Sequence, residues 1–346
     1  MIYFNSDYLE GAHPSIMVKM AETNMVQTVG YGEDEYCEAA REKIKAACQA
    51  PEADVHFLVG GTQTNTTVIA AILRPWQGVI SAVSGHINCH EAGAIESTGH
   101  KVITLPTDNG KITAQQVADY VEWHKNDEST EHIVQPGMVY ISHPTEAGTL
   151  YTKAELTKLY DTCRRYGLPL YIDGARLGYG LAAEESDMTL PEFARLCDVF
   201  YIGGTKVGAL FGEAVVIMNE SLKKDFRFIM KQRGGRLAKG RLLGIQFDVL
   251  FTDDLYFKIS RHAIEMAHQI RDIFVSAGYP LLFDSPTNQQ YPIMPDAELA
   301  EIGKSFGYEY WERVDETHSG VRFCASWATT QENVDALREA VNALKK

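Results

Sequence analysis

Seven short, almost continuously apolar runs follow one another through the first two thirds of the chain, separated by helix-length amphipathic stretches, and this alternation narrows the possible folds more than any other feature. The runs are HFLVGG (56–61), GVISAV (78–83), KVITLP (101–106), MVYISHP (138–144), PLYIDGA (169–175), VFYIGG (199–204) and EAVVIM (213–218). Strands this apolar need cover on both faces, and parallel neighbours must be joined through crossovers. The pattern therefore predicts an α/β fold built on a large, mostly parallel seven-stranded sheet. One intervening stretch, TKAELTKLYDTCRRYG (152–167), shows the helical signals: Thr152 as cap, apolar residues at helical spacing, cations in the last turn and Gly167 as stop.

A basic, Gly-rich stretch, KQRGGRLAKGRLLG (231–244), follows the last strand, and helix formers continue to about Val275. Beyond it YPLLF (279–283), YPIMP (291–295) and SGVRFCASW (319–327) have strand character and alternate with two helical segments. We expect residues 1–245 to form an N-terminal arm with a large domain and residues 246–346 a smaller C-terminal α+β domain. No Pro/Ser-rich linker separates them, which implies a tight interface.

Several classes of function are disfavoured at this point. Asp and Glu outnumber Lys and Arg by 46 to 32, a formal charge of −14, whereas nucleic-acid binders rely on clustered cations. Apolar runs such as VIAAIL (68–73) are far shorter than the roughly 20 residues that span a bilayer. The start, MIYFNSDYLEG, has no cationic stretch ahead of a long apolar run, so no signal peptide is expected. Six cysteines are scattered singly without a C-x-x-C pair, which fits reduced thiols in a cytoplasmic enzyme better than a disulfide or zinc framework.

Chemistry is sought where strands end in polar or glycine-rich turns, since open α/β sheets bind ligands at the carboxyl ends of their strands. Lys206 follows one strand through a Gly203-Gly204-Thr205 turn, among apolar and small residues that disfavour its charged form and leave room for a bulky group, a setting for Schiff-base chemistry. Asp173 ends another strand, 33 residues earlier, about one βαβ unit, so both side chains should emerge at one sheet edge. A pyridoxal phosphate enzyme needs such a pair, the carboxylate keeping the pyridine nitrogen protonated while the lysine holds the aldehyde carbon. At FLVGGTQTNTT, Gly60 and Gly61 lead into a helix start suited to a phosphate monoester, although neither nucleotide fingerprint is matched. His86 and His90 stand at i, i+4 spacing beside Glu91; the order is not H-E-x-x-H and no third ligand is evident, so an imidazole against an aromatic cofactor is preferred to zinc, and no metal is expected.

With these ends assembled, the sequence resembles the low-specificity threonine aldolases, within the beta-eliminating lyase and threonine aldolase group of pyridoxal phosphate enzymes with the aspartate-aminotransferase-like fold (fold type I). The resemblance runs through FNSD (4–7), VGYGEDE (29–35), VGGTQTN (59–65), HINCHEAGAIE (86–96), SHPTEAGTLY (142–151), IDGARL (172–177), GGTKVGALFGEAVV (203–216) and GVRFCASWATT (320–330). The versions SHPTEAGTLY and GGTK…EAVV look most like the branch that holds bacterial low-specificity threonine aldolases and phenylserine aldolases.

The resemblance implies a pyridoxal 5'-phosphate held covalently by Lys206, with Asp173 paired to the pyridinium nitrogen, His86 stacked on the ring, and Gly61, Thr62 and Thr205 among the cofactor contacts. It also implies that Lys239, in RLAKGR, reaches the phosphate of a neighbouring subunit, that Ser6, Arg176 and Arg322 grip the substrate carboxylate, and that Tyr31 reaches an adjoining active site. The implied activity is an aldehyde-lyase of amino acid metabolism, cleaving L-threonine, L-allo-threonine or phenylserine to glycine and an aldehyde; β-elimination and transamination stay open. The implied assembly is a homo-oligomer with a dimer as its smallest unit, a tetramer expected. His86 is the candidate base for the β-hydroxyl proton. In the other main branch a histidine follows the strand of MVYISHP, where Thr145 stands here and His143 lies two residues earlier. His90 stands where this branch often has an acidic residue, which points to a part in aldehyde preference.

Overall fold

The computed structural model describes residues 1–345. A two-residue strand near the N-terminus, β1 (Ile2–Tyr3), is followed by the seven predicted ones: β2 (Asp54–Leu58), β3 (Gln77–Ala82), β4 (Val102–Leu105), β5 (Gln135–Ser142), β6 (Leu170–Asp173), β7 (Val199–Gly203) and β8 (Glu213–Ile217). The last seven form one sheet in the order β2-β8-β7-β6-β5-β3-β4. All neighbours pair in parallel except β8, which runs antiparallel to both β2 and β7. The link from Gly203 to Glu213 is shorter than the dozen or so residues a parallel crossover needs, so the chain turns straight back beside β7.

Helices between the strands cover the sheet, and their ends follow local rules. The helix Lys153–Tyr166 starts at Thr152 with a capping box to Glu155 and stops at Gly167, whose φ of +69° is the left-handed conformation a glycine adopts without strain. Buried aliphatic and aromatic side chains from both sheet faces fill two clusters, one including Ile80, Val139 and Ile172 and the other Val79, Tyr140 and Tyr171.

The C-terminal part contains β9 (Gln289–Gln290), β10 (Ile293–Pro295), β11 (Phe306–Gly307), β12 (Glu309–Arg313) and β13 (His318–Cys324). Strand β13 lies between β10 and β12 and also pairs with β9. YPLLF makes a single bridge, Leu281 with Pro292, rather than the expected strand, while β12 forms where the sequence pattern predicts no strand. The sequence of β12, EYWER, is mostly exposed and too polar to stand out as a run, and only pairing to β13 defines it. A third apolar cluster joins the helices Leu255–Ser276 and Gln331–Ala343 to Phe323 and Phe306, and takes in Phe4 from the N-terminal arm. The arm is tied down by parallel pairing of β1 with β11. Both Ser6-Asp7 and Arg322 are thereby carried to the edge of the large sheet. Among the described residues no helix is long and apolar enough to cross a membrane.

Candidate active site

Lys206 emerges one turn after β7, and the turn depends on glycine for close packing rather than for unusual dihedrals. A Cβ at Gly203 would stand 2.1 Å from the Ala175 carbonyl oxygen, and one at Gly204 would stand 2.7 Å from that of Gly212. Thr205 locks the turn to β8: its Oγ1 donates to Glu213 Oε1 at 2.8 Å and accepts from Gly212 N at 3.0 Å, while Gly204 N donates to Glu213 Oε2 at 3.1 Å. Burial and the Arg176 guanidinium hold the Lys206 ammonium below the usual lysine range, against the pull of Asp7, Asp173 and Glu213.

Asp173 at the end of β6 is surrounded by donors. Tyr201 Oη donates to Oδ1 at 2.5 Å and Ala175 N at 3.0 Å, while Tyr140 Oη donates to Oδ2 at 2.8 Å and Asn65 Nδ2 at 3.1 Å. Burial pushes this carboxyl up, but His86 and the two tyrosine hydroxyls outweigh it, so Asp173 stays ionised below the usual aspartate range. Tyr171 Oη donates to Asn65 Oδ1 at 2.7 Å and so fixes which way that amide faces. Asn65, Tyr140 and Tyr201 were not singled out from sequence, because their polar ends lie within runs that read as strand or helix.

His86 opens the short helix His86–Cys89 beyond β3. Its Nδ1 lies 2.8 Å from Glu91 Oε1, and its main-chain N donates to Glu146 Oε1 at 2.9 Å. Burial pushes the imidazole down, yet the Glu91 bond and the charge of Asp173 leave it above the usual histidine value. The His90 ring is 5.5 Å from that of His86, centroid to centroid.

At the end of β2 the helix Gly61–Ile72 begins with no side-chain cap on its N-terminus. Its first N–H groups therefore face outward unpaired by a capping side chain, with Thr62 exposed beside them. A Cβ at Gly61 would lie 3.2 Å from Tyr201 Oη, the hydroxyl that also bonds Asp173, so the helix start and the buried carboxylate share one neighbourhood.

Arg176 and Arg322 complete the site. Arg176 donates from Nε to Asp7 Oδ2 at 2.6 Å and from Nη2 to Asp7 Oδ1 at 3.1 Å, and Asn288 Nδ2 adds a third bond to Asp7 Oδ2 at 2.9 Å. Arg322 donates to Gln289 Oε1 and to the Asn5 carbonyl, both at 3.0 Å, and its guanidinium lies 5.7 Å over the Trp311 ring; its buried Nε has no partner among the described residues. Ser6 is buried nearby with an unpartnered Oγ. A cavity of about 390 Å³ is lined by Lys206, His86, His90, Arg176 and Arg322, together with Glu146 and an outer wall that includes Tyr8 and Trp311. Asp173 does not line the cavity; it is linked to Glu146 through Tyr140 and Ser142 and to His86 through Asn65 and Glu91.

Other predicted positions lie apart. Tyr31, in a left-handed conformation with φ of +61°, is packed beneath Lys231 and Arg236 and lines a different depression. Its main-chain N donates to the Ala238 carbonyl, beside Lys239, and neither Tyr31 nor Lys239 lines the cavity that holds Lys206. His143 is sealed in the core against Phe193, and burial pushes its pKa down to about 4. Thr145 Oγ1 bonds Thr149 Oγ1 at 2.7 Å, and the next residue, Glu146, reaches the cavity instead.

The family model for the beta-eliminating lyases matches residues 4–339. A low specificity L-threonine aldolase of Pseudomonas aeruginosa is 28% identical over 96% of this chain and 95% of its own. The solved Leishmania major threonine aldolase is 42% identical, each chain covering all of the other, with a TM-score of 0.97. A histidinol-phosphate aminotransferase from Clostridium acetobutylicum, 11% identical with a TM-score of 0.75 over 100% of this chain and 99% of that one, shares the fold alone. On these matches the chain belongs to the beta-eliminating lyase family, in its threonine aldolase group.

Proposed function

We propose that this chain is a pyridoxal 5'-phosphate-dependent aldehyde-lyase that splits L-threonine, L-allo-threonine and related β-hydroxy-α-amino acids, phenylserine among them, into glycine and an aldehyde. The observation that carries it is a cavity lined by two arginines and by Lys206, a lysine of lowered basicity, with Asp173, a carboxylate surrounded by four donors, near enough for its charge to act on Lys206. The residues present fit the cofactor. An uncapped helix start at Gly61 and Thr62 suits a phosphate monoester, and Asp173 suits a protonated ring nitrogen. Lys206 would hold the aldehyde carbon covalently, His86 would face the ring, and Thr205 would steady the turn that presents Lys206. When bound, the cofactor supplies an electron sink for the pair released from the Cα–Cβ bond.

The chain's own residues govern which bond is broken. Arg322 and Ser6 offer unpartnered buried donors to an α-carboxylate, and Arg176 offers Nη1, for which no bond is formed among the described residues. Holding the carboxylate fixes rotation about the substrate's Cα, and so selects the bond presented to the sink. His90, Tyr8 and Trp311 line the same cavity and would face the departing aldehyde.

Homo-oligomerisation, with a dimer as minimal unit and a tetramer expected, is supported by large exposed apolar side chains: Met25 is 88% and Phe228 75% accessible. Tyr31 and Lys239, which do not line the cavity of their own chain, would serve a neighbouring one. Six unpaired cysteines, five of them buried, suit a reducing, cytoplasmic setting.

The test is direct. Purified protein should be yellow, take borohydride label on Lys206, and release glycine with the matching aldehyde from each substrate. Pyruvate or ammonia release would favour elimination, and a colourless protein that takes up no added cofactor would refute the proposal.

A further inference from the structure

Glu146 follows β5 and reaches the cavity from the side of His86. One oxygen is pinned: Oε1 accepts from His86 N at 2.9 Å and from Ser142 Oγ at 2.6 Å. The other, Oε2, receives no hydrogen bond among the described residues, and the residue is only partly buried because it faces the cavity. Its main chain is held as well, since Tyr291 Oη donates to the Glu146 carbonyl at 2.6 Å. A carboxylate fixed through one oxygen and open through the other is an oriented proton acceptor.

We propose that Glu146, through Oε2, takes the proton of the substrate's β-hydroxyl in the cleavage step. This rests on the retro-aldol reading above and assigns its base. The O–H bond breaks to Glu146, and its electron pair forms the aldehyde C=O. The Cα–Cβ bond breaks with its pair leaving on Cα, which is then protonated to give glycine; no oxidant or reductant is consumed. His86 suits this task less well, because its Nδ1 is engaged by Glu91 and its surroundings favour the protonated ring.

The groups facing Glu146 decide its titration. Burial raises its pKa and the Ser142 hydroxyl opposes this; the charge of Asp173 raises it further, and His86 lowers it. The hydroxyls of Tyr140, Tyr151 and Tyr291 lie around it, and Lys206, Arg176 and Arg322 share the cavity. The net direction is above the usual glutamate value of 4.5, so the ionised base is lost, and cleavage with it, as pH falls through a point above that value.

The experiment uses the cofactor-loaded enzyme. Glu146→Gln keeps an oxygen for His86 N and Ser142 but cannot take a proton. We expect threonine cleavage to fall about 10²- to 10³-fold and to lose its acid limb. The cofactor absorption spectrum, glycine affinity by spectral titration, and exchange of the glycine α-hydrogen into deuterium oxide should stay within about threefold, since none involves a β-hydroxyl. In Ser142→Ala, loss of a bond that favours the ionised form should move the acid limb to higher pH. The proposal is overturned if Glu146→Gln cleaves within about threefold of the parent, if glycine binding and exchange fall in proportion to cleavage, or if Ser142→Ala leaves the acid limb in place. Failure of the underlying reading looks different: the parent enzyme itself would bind no cofactor or release no glycine from threonine.

Discussion

Arg176 spends one edge of its guanidinium on Asp7, through bonds of 2.6 and 3.1 Å, so an arginine expected to serve the substrate is first of all part of a buried ion pair. Asp7 comes from the N-terminal arm and Arg176 from the end of β6, and the pair ties the arm across the active site.

Asp7→Ala should leave Arg176 buried without its counter-charge and cost about 3–5 kcal/mol, read as a lowered Tm and urea midpoint. Burial pushes the Asp7 carboxyl up, but Arg176 and Lys206 bring it down to about 2. Its folded pKa is thus depressed. The stability it adds is present above the unfolded value of 3.8 and is lost as pH falls toward 2, so acid unfolding of the parent should steepen in that window and that of Asp7→Ala should not.

Lys206→Ala should abolish borohydride labelling and reduce threonine cleavage by at least about 10³-fold while the protein stays folded. Retention of substantial cleavage would remove Lys206 from its assigned role.

In Asp173→Asn the charge that four donors surround is gone, and the amide cannot accept from all of them. Cofactor affinity should drop about 10- to 100-fold and cleavage by about 10²-fold or more, measured by dialysis against free cofactor and by glycine release. The fold should persist, because the tyrosine hydroxyls keep one oxygen to bond.

Gly203→Ala and Gly60→Ala make a matched pair. The first would press a methyl against the Ala175 carbonyl oxygen at 2.1 Å and should cost roughly 1–3 kcal/mol or more, with weakened Lys206 labelling. The second meets nothing within 4 Å in an extended backbone and should change stability by less than about 0.5 kcal/mol. Thermal unfolding of the cofactor-free proteins separates them.

Much of the large sheet was legible because strand identity is a local property. Each of the seven runs is apolar enough to require two covered faces, and Lys206 and Asp173 end runs that had to be strands. The helix at 153–166 was equally readable, since its cap, its capping-box partner and its stop lie within the same short stretch. His86 and Gly61 came to notice for the same reason, by standing just past a strand.

Contacts between distant segments were not legible. The placement of β8 between β2 and β7, the pairing of β12 with β13, the Asp7–Arg176 pair and the fan of tyrosines on Asp173 each join residues whose local patterns contain no sign of the partner. Glu146 lies within a motif read for its neighbours, and only the fold shows that it, rather than Thr145, faces the cavity. Sequence alone determined the seven strands of the large sheet and the helix at 153–166, because hydrophobic periodicity and capping act over a few residues. Tertiary structure alone decided which polar side chains meet at the strand ends, because a hydrogen bond or ion pair forms only where packing brings its two halves within about 3 Å of each other.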